Sequence, residues 1–231
     1  MTDSEINEID WRENRIWHTH EVLLGKLIKV VFKTGLYPLV DVSFIHPENL
    51  PKAGGCIVAC NHVNVFDPFF LGMYLPRHPH FMAKIELFKH LFPRWVLRTA
   101  GTFPVNRSKS DPWALAQAGR VLASGSVLFM FPEGTRSGQE AILKRGKSGA
   151  VRLALEHQSL IVPTTIWGVQ DIHVGLRNSN KISIRFDEPF DVGAIAGSPP
   201  HSHAIISELT DMLMRRIAAM LPEEKRGIYG N

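Results

Sequence analysis

At 231 residues the chain is long enough for one sizeable core with at most a small appended segment, and 45% apolar and 21% charged residues are ordinary for a globular protein. A net charge of +4 and a pI near 9.2 lean toward anionic partners, whether nucleic acid, phospholipid headgroups or phosphorylated small molecules. The acidic start from Met1 to Glu8 is the reverse of a secretory n-region, and no run of 18 apolar residues occurs, so neither a cleavable export signal nor a bilayer-spanning helix is expected.

In chain order, residues Glu21 to Lys33 read EVLLGKLIKVVFK, which at about 100° per residue gathers Lys26, Lys29 and Lys33 within about 60° and spreads Leu23, Leu24, Leu27, Val30 and Val31 over the remainder. This is a basic amphipathic helix. Its neighbour, Ile9 to His20, adds Trp11, Trp17, Arg12 and Arg15, residue types that settle at a headgroup boundary. Two readings stand: the apolar face packs on the domain with the lysines solvated, or the helix is a modest membrane anchor.

Val42 to Ile45 reads as a short strand, and Gly55 to Cys60 as a buried strand bounded by glycines. Cys56 and Cys60 point to one side of it but are too far apart for a disulfide, so both are expected as reduced thiols. Asp67-Pro68 signals a helix start, with Asp as N-cap and Pro as first helical residue. His80 to Ala83 is a further strand, and Ile85 to Arg98 is either a membrane- or acyl-facing wall or a surface helix kinked at Pro93. A helix from Asp111-Pro112 to Ser124 precedes the continuous apolar run Val127 to Phe131, typical of a strand covered on both faces. Ser148 to His157 reads as a helix, Leu160 to Ile166 as a buried strand, the alternating Lys181 to Phe186 (KISIRF) as an edge or hairpin strand, and His201 to Leu221 as a closing helix. Strands alternating with helices, without repeats or linkers, give an α/β domain.

His62 falls at a strand's end and Asp67 at a helix's start. In one continuous helix the two would lie about 140° apart, whereas a turn can bring them together. A carboxylate bonded to one imidazole nitrogen fixes the tautomer so that the other nitrogen can take a proton from a hydroxyl or thiol. The loop Pro132-Glu133-Gly134-Thr135-Arg136-Ser137-Gly138 offers backbone N-H groups, two hydroxyls and an arginine, a composition suited to phosphate, and Lys144-Arg145-Gly146-Lys147-Ser148-Gly149 extends the basic cluster. Gly146-Lys147-Ser148 is not a P-loop, because Ala141 stands where the first glycine is required. His201-Ser202-His203 has no third ligand nearby, so no metal is expected. The aromatics are not interleaved with the basic residues of 136 to 147, and no finger or helix-turn-helix spacing occurs, which argues against nucleic acid.

Four blocks stand in order: NHVNVFD at 61 to 67, GTFPVNR at 101 to 107, FPEGTRS at 131 to 137 and IVPTTI at 161 to 166. Together, over roughly residues 45 to 190, they resemble the PlsC-like glycerolipid acyltransferases, the lysophosphatidic acid acyltransferase family. The resemblance implies a mixed, largely parallel central sheet flanked by helices, with an N-terminal amphipathic segment (1 to 41) before a catalytic domain (42 to 231). It implies that His62 is the general base and Asp67 its orienting partner, with backbone N-H groups near the first motif stabilising the oxyanion. Arg107, Glu133, Gly134, Thr135 and Arg136 match positions that bind or frame the acceptor's phosphate, with Lys84 and Lys144 as further contributors. Glu133, a carboxylate, is expected to position the arginines or the glycerol hydroxyl, and Pro163 to shape the acyl site.

The implied reaction moves a fatty acyl group from acyl-CoA or acyl-carrier protein, as co-substrate and with no cofactor, to 1-acyl-sn-glycerol 3-phosphate. The implied place is cytoplasmic, peripheral at the inner face of the cell membrane. A lyso-ornithine lipid, another lysophospholipid or a glycolipid is the alternative acceptor, and a non-catalytic lipid-binding member the alternative class. The chain departs from the family pattern in lacking a glycine over His90 to Arg94 and in adding the charge of Lys147 at the rim of the site.

Overall fold

The computed structural model describes residues 10–19, 21–36, 39–89, 91–108, 110–172 and 180–230. Of the stretches read above, the acidic start and His90 lie outside them. In chain order the elements are α1 (Leu23–Leu36), β1 (Asp41–Ile45), β2 (Cys56–Cys60), α2 (Asp67–Tyr74), β3 (Pro79–Lys84), α3 (Leu91–Thr99), β4 (Thr102–Val105), α4 (Pro112–Ala123), β5 (Val127–Met130), α5 (Gly149–His157), β6 (Leu160–Trp167), β7 (Lys181–Phe186), α6 (Val192–Ala196) and α7 (His203–Ala219).

The strands form one sheet in the order β1-β7-β6-β2-β5-β3-β4. Every pairing is parallel except the antiparallel β6/β7, so the sheet is mixed and mostly parallel, flanked by helices. The strands are short apolar runs because both faces are covered. On one face Ile57 and Ala59 of β2 pack with Ala118 and Val121 of α4, Val151 of α5 and Leu213 of α7. On the other, Cys56, Val58 and Cys60 pack with Phe70 and Leu71 of α2. Both cysteines are free and buried, as their spacing implies. The carboxyl ends of β2, β5, β3 and β4 fall on one edge of the sheet, the edge at which open α/β sheets place their ligands.

The fold corrects several local readings. Of the two readings of β7 the edge strand fails, since it lies between β1 and β6, and the hairpin stands, since it pairs antiparallel with β6, the strand before it. The stretch from Ile85 is not one kinked helix but a single 3-10 turn, Ile85–Phe88, followed by α3, with Pro93 in the first turn. A first-turn proline needs no N-H partner, so nothing there has to kink. Arg12 and Trp17 are not headgroup residues. Arg12 is buried, donating from Nη1 to Asp111 Oδ2 at 2.6 Å and from Nη2 to Asp111 Oδ1 at 2.9 Å, and Trp17 packs edge-on against Trp113 and Phe88.

The orientation of α1 overturns the reading in which its apolar face packs on the domain. Lys29 turns inward, 3.0 Å from Glu21 Oε1, which in turn lies 3.3 Å from His78 Nδ1 at the start of β3. Lys33 Nζ sits 5.3 Å from the centre of the Tyr74 ring. Gly25 permits close approach, because a Cβ there would stand 2.9 Å from the Thr99 carbonyl oxygen. The apolar side faces outward instead: Leu23, Leu27, Val30 and Val31 are each at least 60% exposed. Among the described residues no helix is long and apolar enough to cross a membrane.

Candidate active site

The site is built where β2 ends. Asn61 closes the ladder with its side chain, Nδ2 donating to the Ile166 carbonyl (3.1 Å) and Oδ1 accepting from the Ile166 N-H (2.8 Å). The chain then turns, and the main chain of His62 is held from both sides by the loop after β5. Its N-H donates to Glu133 Oε1 (2.7 Å), and its carbonyl accepts from the Ser137 N-H (2.7 Å) and hydroxyl (3.1 Å). The imidazole stacks on Phe131 with centroids 4.0 Å apart and planes 18° apart. Ring position is therefore fixed by packing as well as by hydrogen bonds.

Asp67 is fully buried, and its Oδ2 accepts three hydrogen bonds: from His62 Nδ1 (2.8 Å), Val63 N (2.7 Å) and Asn64 N (2.8 Å). With Nδ1 committed to a carboxylate, Nε2 is the nitrogen left to accept a proton. The carboxylate does not cap its own helix as the Asp-Pro signal suggested, because three donors of the preceding turn claim it. Those bonds also narrow the expected oxyanion donors. The N-H groups of His62, Val63 and Asn64 go to carboxylates, and those of Phe66 and Asp67 to Asn64. Among the described hydrogen bonds Val65 N-H is the amide of this turn that donates to none.

The loop after β5 carries the basic residues. Gly134 turns it with φ +68°, in the left-handed region, and a Cβ there would lie 2.9 Å from Lys147 Nζ. Arg107 donates to the carbonyls of Gly134 (3.4 Å) and Met82 (3.3 Å), tying β3 and β4 to this loop. Lys144 Nζ donates to the Arg136 carbonyl at 2.7 Å. Thr135 and Arg136 are exposed at the loop's tip, and Lys84 is exposed at the end of β3 opposite Val105, two residues before Arg107. Asp111 anchors this side: it accepts from Asn106 N and Ala114 N as well as from the buried Arg12.

Glu133 departs from its sequence-based role. It is only 2% exposed, and its second oxygen accepts from Lys144 N at 2.9 Å, so the carboxylate braces the main chain of His62 and Lys144, and among the described residues it bonds to no arginine. Burial pushes its pKa up to about 7, against the lowering effect of those two backbone bonds. Pro163 is buried in β6 across from Ala59, inside the sheet. Sequence reasoning gave no role to Asn61 or Phe131, and it offered the Ser137 hydroxyl to phosphate, whereas that hydroxyl donates to the His62 carbonyl. The available signal for Asn61 and Phe131 was position: each stands one residue past an apolar strand that ends at the site.

The Acyltransferase family model matches residues 41–167, more than half of the chain and every residue of this site except Arg12. The 1-acyl-sn-glycerol-3-phosphate acyltransferase of Bacillus subtilis is 31% identical over 177 residues, 76% of this chain and 86% of that protein. The Streptococcus pneumoniae protein of the same name is 30% identical over 141 residues, 60% of this chain; the chain spans about half (51%) of that relative's length. In fold, the chain is similar to the crystal structure of the 1-acyl-sn-glycerophosphate (LPA) acyltransferase PlsC from Thermotoga maritima. The TM-score is 0.64 and the identity 26%, over 84% of this chain and 77% of that one. The His62–Asp67 pair at the end of β2, the basic loop after β5 and this extent of matching agree, and the chain belongs to the acyltransferase family.

Proposed function

We propose that this enzyme esterifies the free hydroxyl of 1-acyl-sn-glycerol 3-phosphate with a fatty acyl group from acyl-CoA or acyl-carrier protein, giving phosphatidic acid. The observation that carries the reading is His62 held by a buried Asp67 beside a loop ringed by Arg107, Arg136, Lys144 and Lys147. His62 Nε2 takes the hydroxyl proton as the oxygen attacks the thioester carbonyl. The tetrahedral oxyanion forms near the Val65 N-H, and its collapse expels the thiolate, which recovers the proton from the imidazolium. No acyl-enzyme is needed. The names of the Bacillus and Streptococcus relatives support the glycerophosphate acceptor.

The same reading places the enzyme peripherally on an anionic membrane surface, the inner face of the cell membrane, through the outward apolar side of α1 flanked by Lys26. A lipid acceptor that lives in a bilayer requires such access.

The deciding experiment is thiol release from acyl-CoA on adding lysophosphatidic acid, with wild type and His62→Ala in parallel and the lipid product identified by mass. Acceptor-dependent release, absent in the variant and yielding phosphatidic acid, is the expected result. Acceptor-independent release, or undiminished turnover by His62→Ala, refutes it. Activity confined to phosphate-free lysolipids moves the acceptor to the lyso-ornithine or glycolipid class.

A further inference from the structure

A groove of about 370 Å³ lies outside the dyad and the phosphate loop. Its floor is a stretch of the β6/β7 ladder, with the buried Thr165 paired to Arg185 and the half-buried Trp167 to Ser183. Its wall is the chain leaving α7, through Leu221 to Arg226. The helix ends at Ala219, and Trp167, Ser183 and Arg185 are left half-buried on that face.

Among the described residues the guanidinium groups of this groove are largely uncommitted. Arg185 is half-buried, yet among the described residues its side chain makes no hydrogen bond and no ion pair. The nearby Arg216, by contrast, is committed to Asp187 Oδ2 (2.7 Å) and the Glu188 carbonyl (3.0 Å). Arg226 spends only Nε, on the Leu221 carbonyl at 3.0 Å, which leaves both terminal nitrogens as donors. Two guanidinium groups with unused planar forks match phosphate oxygens. Trp167 adds a half-buried aromatic surface of the kind on which a base stacks, and Thr165 and Ser183 add hydroxyls. The volume falls in the range of small-ligand sites, and the two guanidinium groups and the hydroxyls suit a nucleotide head over a fatty chain.

The groove and the dyad adjoin at the strand ends but open on opposite faces of the sheet, so a donor spanning them rounds the carboxyl ends of the strands. Asn61 clasps Ile166, which packs on the α2 face between the two floor positions Thr165 and Trp167, and His62, stacked on Phe131 on that same α2 face, follows Asn61 directly. One strand spacing, roughly 5 Å, separates that main chain from Thr165. The wall is likewise joined to the basic segment of the site, since Lys225 accepts from Leu143 N (2.9 Å) and Tyr229 Oη from Gly146 N (3.1 Å).

We infer that this groove binds the phosphorylated nucleotide end of the thioester donor, with phosphate held between Arg185 and Arg226, the base against Trp167, and the flexible arm of the donor leading the thioester to His62. The inference rests on the acyl-transfer reading and selects a nucleotide-bearing donor, acyl-CoA, over a carrier protein.

The test is calorimetric titration with adenosine 3′,5′-bisphosphate, a probe with the nucleotide but no thioester, so binding is read apart from turnover. Wild type and His62→Ala bind alike, with affinity falling as salt rises. Arg185→Ala and Arg226→Ala each weaken binding at least tenfold, Arg185→Lys by less, and Trp167→Leu weakens the bisphosphate but not inorganic phosphate. In kinetics Arg185→Ala raises KM for acyl-CoA about tenfold with kcat and the KM for lysolipid unchanged. Circular dichroism and the melting temperature confirm that each variant is folded. No binding to wild type at millimolar probe, equal binding by both arginine variants, or complete competition by equimolar inorganic phosphate overturns the inference. Full binding in a protein with no acyl transfer to any lysolipid supports the groove and refutes the acyl-transfer reading instead.

Discussion

The dyad makes its sharpest prediction at Asp67. In Asp67→Asn the amide oxygen can take the place of Oδ2 and keep all three donors, His62 Nδ1, Val63 N and Asn64 N, but as a neutral acceptor. A hydrogen bond to a charged group contributes about 1.5 to 3 kcal/mol and a neutral one about 1, so each of three bonds loses on the order of 1 kcal/mol. The amide nitrogen then occupies the place of Oδ1, which is buried and has no hydrogen-bond partner among the described residues. The variant should therefore fold with about 3 kcal/mol less stability, read from urea denaturation. Its kcat should fall further than its KM changes, because the imidazolium that forms during attack loses its buried counter-charge. A loss of about 2 to 3 kcal/mol in the transition state is roughly 30- to 150-fold in kcat. Asp67→Ala leaves three buried donors unmet at about 1 to 3 kcal/mol each, a sum that rivals the whole stability of a domain, and should be largely unfolded. Thiol release at saturating lysolipid measures the first effect. Wild-type kcat in Asp67→Asn, with the ring still stacked on Phe131, refutes the role given to the carboxylate. An alanine variant as stable as wild type refutes the three-bond geometry.

Three further tests address the parts around the dyad. Because burial raises the pKa of Glu133 from 4.5 to about 7, the folded state holds its proton more tightly than the unfolded state, so this group's contribution is in place below pH 4.5 and is lost as pH rises to about 7. That loss is about 3 kcal/mol, and urea midpoints from pH 4.5 to 8 should show it in wild type and not in Glu133→Gln; an unchanged slope in the variant contradicts the assignment. Gly134→Ala forces a side chain onto φ +68° and against Lys147 Nζ, so stability should drop by about 1 to 2 kcal/mol and KM for the phosphorylated acceptor should rise several-fold, while an unaltered KM would separate this loop from the phosphate. Leu27→Asp with Val31→Asp should abolish flotation with anionic vesicles, since two side chains no longer contribute about 1.5 to 3 kcal/mol each, yet leave the melting temperature unchanged because both are exposed in the fold; undiminished flotation removes α1 as the membrane contact.

How far the sequence could be read depended on whether a signal was local. The strands were legible because each is a short apolar run, and the four motif blocks were legible as a set because the parallel strands carry them to one edge. Two Asp-Pro pairs show where local reading stops. At Asp111 the carboxylate caps its helix through Ala114 N, as the dipeptide predicts, whereas at Asp67 the same dipeptide yields a carboxylate turned backward to three donors of the preceding turn. Nothing in the dipeptide distinguishes them; the donors of a buried turn do. Glu133 was illegible for the same reason, since a carboxylate beside basic residues reads as an ion pair until burial shows that its neighbours are main-chain N-H groups. The alternation of KISIRF was read as an edge or a hairpin strand; the hairpin pairing with β6 holds, and the alternation itself reports a face. Ile182, Ile184 and Phe186 are buried, while Ser183 and Arg185 line the groove that α7 leaves open.

The inversion of α1 follows from where its charges find partners. An amphipathic helix with a lysine stripe is normally read with the stripe in water. Here Glu21 binds Lys29 and adjoins His78, whose pKa is pushed down to about 3 by burial and then by His80 and Lys29, so His78 stays neutral and the cluster closes around a single Glu–Lys pair. Once Lys29 is inward, the 3.6-residue repeat carries Leu27, Val30 and Val31 outward. The helix then rests on α2 through Phe32 and Phe69, whose rings meet edge-on at 5.7 Å, and α2 is the helix that begins with Asp67. Val65 and Phe66, both more than half exposed, extend the apolar surface at the start of that same helix, three and four residues after His62. On the proposed membrane contact, a lysolipid drawn toward α1 therefore meets the turn bearing His62 by way of one continuous element, and its phosphate, too polar to follow the chain into an apolar surface, is left to the arginines and lysines of the loop after β5.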